Sequence, residues 1–131
     1  MDLSCFDDAT PFSRFTTHQM DPAREIVGFA AYSPDDKVAF GYRWPASHFP
    51  WLGIWQENRK RTQAPWNGRS LTCGMEFGVS PYPETRRQMI ERGSLFGVPG
   101  YKWLPAQGTA SASYSAFIRE ADGLLAGEWL R

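Results

Sequence analysis

Side chains that alternate in character every second residue, cut by turns rich in glycine and proline, place the strongest constraint on how this chain can fold. Residues 37–44 show it best: Val38, Phe40, Tyr42 and Trp44 alternate with Lys37, Ala39, Gly41 and Arg43. Successive side chains of a strand point to opposite sides, so period two marks a strand with one buried face. Residues 25–32 form a second such run. The intervening Ser33-Pro34-Asp35-Asp36 is turn chemistry, which predicts a hairpin. Further strand runs lie at 12–17, 49–57, 71–77 and 109–119, and a turn at 121–125 leads toward a short last strand. Residues 1–11 read as irregular. Only the stretch from Pro83 to Gly93 breaks the pattern. A proline suited to a helix start, early acids and a terminal glycine predict one short helix over 84–92. Many short strands with one helix predict an all-β fold, an antiparallel β-sandwich.

The chain has 131 residues, which suits one sandwich domain spanning 1–131. Lys and Arg number 14 and Asp and Glu number 14, so no net charge draws the protein to nucleic acid or an anionic membrane. No apolar run is long enough to span a bilayer. The N-terminal MDLSCFDDAT lacks the basic-then-apolar order of a signal peptide, so a cytoplasmic protein is expected. Two cysteines, Cys5 and Cys73, imply no disulfide framework, and free thiols are expected. With two histidines and no metal-ligand spacing, no structural metal is expected. No Ser-His-Asp order and no nucleotide-binding glycine loop is present, so no cofactor is implied.

Aromatic residues make up 15% of the chain, with 6 tryptophans, and their placement narrows the candidates. In the run 49–57, Leu52 and Ile54 share one face, and Trp51, Gly53, Trp55 and Glu57 share the other. In LTCGMEFG, Leu71, Cys73, Met75 and Phe77 form the face expected to be buried. Ser70, Thr72, Gly74 and Glu76 form a small, open face bearing one acid. Indoles stack on the CH-rich faces of sugar rings, carboxylates accept hydroxyl hydrogen bonds, and glycine leaves room. The candidate site therefore comprises Glu76, Trp51, Trp55 and Glu57, rimmed by Asn58, Arg61, Trp66 and Arg69 from the loop 58–69. The alternative for each is ordinary: a solvated acid, indoles packed between sheets, a solvated loop.

Three segments, FPWLGIWQENR, APWNGRSLTCGMEFGVSP and YKWLPAQGTASASYSAFI, resemble the C-terminal half of the aldose 1-epimerase, or galactose mutarotase-like, superfamily. The likeness covers roughly residues 12 to 120. It implies part of a large antiparallel β-supersandwich, and a sugar or sugar phosphate as ligand. It gives Glu76, in CGMEFG, the role of general base in anomer interconversion, without a cofactor. The family's acid is a histidine on an earlier strand, and neither His18 nor His48 sits in a matching context. Half a supersandwich has faces and edges to cover, so a homo-oligomer is expected. The alternative is a non-catalytic carbohydrate-binding or oligomeric assembly module, a remnant of that fold. A purely structural sandwich is the third reading.

Overall fold

A computed structural model describes residues 10–123. They form antiparallel strands and one short helix: β1 (Phe12–Gln19), β2 (Ile26–Ser33), β3 (Val38–Pro45), β4 (Trp51–Asn58), β5 (Leu71–Gly78), α1 (Arg86–Arg92), β6 (Ser94–Leu95), β7 (Val98–Pro99) and β8 (Ser115–Glu120). One sheet has the order β1-β4-β5 and a second the order β2-β3-β8, while β6 and β7 form a small hairpin. The fold is all-β, as the alternation requires.

The predicted hairpin at 33–36 is β2-β3, in register from Ile26 opposite Pro45 to Ser33 opposite Val38. The Ser33 hydroxyl donates to Asp36 at 2.7 Å, which closes the turn. Helix α1 is shorter than expected. Its N-cap is Thr85, which forms a capping box with Gln88, so Pro83 precedes the helix and no acid lies in its first turn. Gly93 ends it at φ 70°, as its position implied. The β6-β7 turn puts Phe96 (φ 50°) and Gly97 (φ 78°) both in the left-handed region, which a two-residue I′ hairpin needs.

The inner faces of the two sheets meet in one core. Val27, Trp44, Ala46 and Leu52 are buried at its centre, with Met20, Phe29, Tyr42, Phe49, Ile54, Met75 and Phe77 packed around them. Trp44 stacks on Phe77 across the sheets, with ring centroids 4.3 Å apart and planes at 16°. The Trp44 indole N–H donates to the Phe49 carbonyl at 2.8 Å, so the ring is buried without losing its hydrogen bond.

Two expectations need correction. Met75 and Phe77 pack on the core, but Leu71 and Cys73 are exposed. β5 is an edge strand, and its first half lies beyond the zone where the sheets touch. On the facing sheet, the inner-face residues Phe40 and Ile118 are exposed at the same end, 44% and 76%. The strand expected at 109–119 is only Ser115–Glu120. Thr109–Ser113 carry no large apolar side chain with which to claim a place on the sheet, and Tyr114 packs on Tyr42 and Phe77 without joining the ladder. The expected last strand after residue 123, the irregular start and Cys5 lie outside the described residues.

The division of the inner face generates a prediction. Trp44→Ala should cost about 3–5 kcal/mol, the range for a large buried ring. Leu71→Ser, on the same face at its uncovered end, should cost about 0.5 kcal/mol or less. Urea denaturation of both variants checks this; equal losses would contradict the described division.

Candidate functional site

Strand β4 is central, so its outer face carries side chains from three strands. β1 contributes Ser13, Phe15 and Thr17, opposite Glu57, Trp55 and Gly53 respectively. β5 contributes Thr72, Gly74 and Glu76, again opposite Glu57, Trp55 and Gly53. In an antiparallel pair, directly opposed residues share a face. Trp55, Glu57 and Glu76 are therefore on one side of the sheet, and Leu52 and Ile54 face the core on the other.

The loop 59–70 folds back over this face. Arg59 N–H donates to the Ser70 carbonyl at 2.7 Å, and Gly68 N–H to the Arg61 carbonyl at 2.9 Å. The return places Trp66 edge-on to Trp55, with centroids 5.9 Å apart. Arg61 sits between them, its guanidinium carbon 5.2 Å from the Trp55 ring and 5.4 Å from the Trp66 ring. Beneath it lies Glu57, whose side chain is fully buried and whose Oε2 is 3.3 Å from Arg61 Nε. Glu57 Oε1 accepts from the Arg61 backbone N–H at 2.9 Å.

This cluster decides the charge of the site. Burial alone would raise the Glu57 pKa. The Ser13 hydroxyl, the backbone N–H groups of Arg61 and Lys60, and the Arg61 guanidinium outweigh it, so the carboxyl is held below its ordinary value of 4.5. Arg61 is thereby matched to a counter-ion inside the protein.

Glu76 stands exposed at the edge of this cluster. Gly74 separates it from Trp55. A Cβ there would lie 3.5 Å from Trp55 Cε3 and 4.0 Å from Glu76 Oε1, ordinary contact distances, so the glycine leaves a shallow bare patch between indole and acid. Gly53 has a different reason to be glycine. A Cβ there would come within 2.5 Å of the Phe15 ring, which already lies over it.

The structure thus brings together Trp55, Glu57, Arg61 and Trp66, with Glu76 alongside. It does not bring the others. Trp51 is on the same face but 1% exposed, so its ring is sealed from a ligand. Asn58 projects from the inner face of β4 and is fully buried; its amide donates to the Thr10 carbonyl at 2.9 Å and accepts from Arg59 at 3.2 Å. Arg69 is exposed and contributes a backbone N–H to the Trp66 carbonyl at 2.9 Å. Phe15 and Thr17 belong to the face and were not among the candidates. The β1 run alternates too weakly to show which of its sides faces Trp55.

Both histidines lie elsewhere. His18 is opposite Leu52, on the inner face, and its Nε2 is 3.0 Å from the Thr16 hydroxyl. His48 lies in the β3-β4 loop, edge-on to Phe49. Among the described residues, no group of His, Cys, Asp and Glu could hold a metal ion.

Three buried polar atoms on this face have no hydrogen-bond partner in the protein, Thr17 Oγ1, Trp51 Nε1 and Trp55 Nε1, while Glu57 Oε2 is ion-paired with Arg61. Nothing in the spacing of the sequence signals this. Buried polar atoms are nearly always paired, so a run of exceptions along one strand face asks for an explanation. No protein-family model matches the sequence, and neither a curated protein nor a solved structure matches it. No helix among the described residues is long and apolar enough to cross a membrane.

Glu57 yields a pH prediction. Because its pKa is lowered on folding, its ionisation stabilises the fold above the unfolded value, and that contribution is lost as pH falls through the folded value. Glu57→Gln should therefore be less stable than wild type at pH 7, and the gap should narrow as pH falls below 4.5. Urea midpoints between pH 7 and about pH 3 measure this; a constant gap would contradict it.

Proposed function

We propose that the outer face of β1-β4-β5 is a carbohydrate-binding surface that does not turn its ligand over. The observation that carries the reading is the edge-on pair of indoles, Trp55 and Trp66, beside the exposed acid Glu76, with the Trp55 N–H left without a partner in the protein. The Trp55 indole N–H can donate to a sugar oxygen, and the exposed Glu76 carboxylate can accept from sugar hydroxyls. The edge-on indole pair supplies apolar surface for the CH face of a ring.

The aldose 1-epimerase-like alternative uses the same Glu76 as base. Ring opening also needs an acid that protonates the ring oxygen from the same concave side. His18 is on the opposite face of the sheet from Glu76. His48 packs against Phe49, which belongs to the inner core. This arrangement supports binding over isomerisation. Arg61, committed to Glu57, is a poor phosphate anchor, which supports a neutral sugar over a sugar phosphate.

Titration of neutral hexoses and short oligosaccharides, followed by tryptophan fluorescence, should saturate. Trp66→Ala should weaken binding by about tenfold, the value of one lost stacking partner. Polarimetry of freshly dissolved aldose should show no acceleration by the protein. Acceleration abolished by Glu76→Gln would favour the epimerase, and absence of both signals would contradict the carbohydrate reading altogether.

A further inference from the structure

The end of the sandwich that the two sheets leave uncovered is bordered by apolar side chains. Phe40 and Ile118 are both exposed there. Phe40 is in phase with Tyr42 and Trp44, which pack in the core, and Ile118 is opposite Phe40 in the β3-β8 pair. The facing sheet supplies Cys73, in phase with Met75 and Phe77 yet exposed. Trp44 stacks on Phe77, and counting back four residues from that stack along each strand brings Phe40 and Cys73 to the same level. An inner face left bare in this way is a place for something else to pack.

The chain itself is delivered to this spot. Strand β8 runs antiparallel to β3, from Ser115 opposite Arg43 to Glu120 opposite Val38, so it leaves the sheet at the uncovered end. The ladder is extended by Ala121, whose N–H donates to the Lys37 carbonyl at 2.9 Å. Asp122 is 3.8 Å from the Lys37 ammonium.

The sequence that follows Gly123 is LLAGEWLR, residues 124–131. It holds three leucines and a tryptophan, with one acid and one base. Seven extended residues reach about 23 Å, and packed sheets lie about 10 Å apart, so residues 124–130 are long enough to cross from β8 to β5. The N-terminal residues also adjoin this end, because Phe12 is opposite Asn58 and Asn58 opposite Leu71. Residues 1–9, however, carry Asp2, Asp7 and Asp8, and burying carboxylates against an apolar face is costly. Composition therefore selects the C-terminal segment as the occupant.

We propose that residues 124–130 pack across the uncovered end of their own chain, their leucines and Trp129 against Phe40 and Ile118, and reach Cys73 on the facing sheet. Leu71, one inner-face position further out, stays at the rim. The docking is independent of the sugar-binding surface, which lies on the outer face of β4.

Nuclear Overhauser contacts in the full chain read this packing directly. The Trp129 indole should show contacts to the Ile118 methyl groups and the Phe40 ring. In a mixture of isotope-labelled and unlabelled chains, none of these contacts should run between chains. Thiol reactivity gives a second reading in a Cys5→Ser background, where Cys73 is the sole thiol. Removing residues 124–131 should speed the reaction of Cys73 with a thiol reagent several-fold, and Trp129→Ala should give an intermediate rate. If the shortened chain does not fold, Trp129→Ala and the Overhauser contacts decide. Contacts that run between chains would make the occupant a second copy. Contacts to Ile118 from Phe6 in place of Trp129 would make it the N-terminal segment. Either result, or Cys73 reactivity indifferent to Trp129→Ala, would overturn the proposal.

Discussion

The stack of Trp44 on Phe77 is the contact on which the rest depends. It joins the central strand of one sheet to the edge strand of the other and closes the sandwich at one end. With the inner face of β4 spent on that core, its outer face is left to be covered by a loop. The loop 59–70 does so through Trp66 and Arg61, not through a third layer of strands. Core and candidate site are thus the two faces of one eight-residue strand, and the same alternation specifies both.

Glu57 links the two. A fully buried carboxylate costs more in desolvation than most single contacts return, and it persists only where hydrogen bonds and an opposite charge surround it. Ser13, the first residues of the loop and Arg61 meet that requirement. The acid therefore fixes where the loop begins, and so where Trp66 lands. Glu57 and Arg61 hold the start of the loop in place. The surface left to touch a ligand is Trp55, Trp66, the Gly74 patch and Glu76.

Much of the fold was legible because alternation and turn chemistry agree: residues 25–44 carry a clear hairpin, and Gly93 marks the end of α1. The failures have physical causes. Leu71 and Cys73 keep the apolar phase of a buried face, yet nothing in a strand's own sequence says how far the opposing sheet extends. Asn58 continues the polar run after Glu57, but period two turns it to the other side. Gly53 invited a ligand between two tryptophans, and Phe15, some forty residues earlier in the chain, fills that space. A cleft between the β1-β2 turn, the β3-β4 loop and residues 98–102 could not be read at all, because its walls come from segments far apart in sequence.

The central claim is that the outer face of β4 receives a ligand. The chain has 6 tryptophans, and each indole N–H gives its own signal in a proton–nitrogen correlation spectrum. Trp44 Nε1 is already bonded to the Phe49 carbonyl inside the core, whereas Trp55 Nε1 has no partner. On addition of a neutral sugar, the Trp55 and Trp66 signals should shift together and saturate at one affinity while Trp44 stays fixed. Shifts confined to other tryptophans, or no shift at Trp55 while the sugar demonstrably binds, would contradict the account.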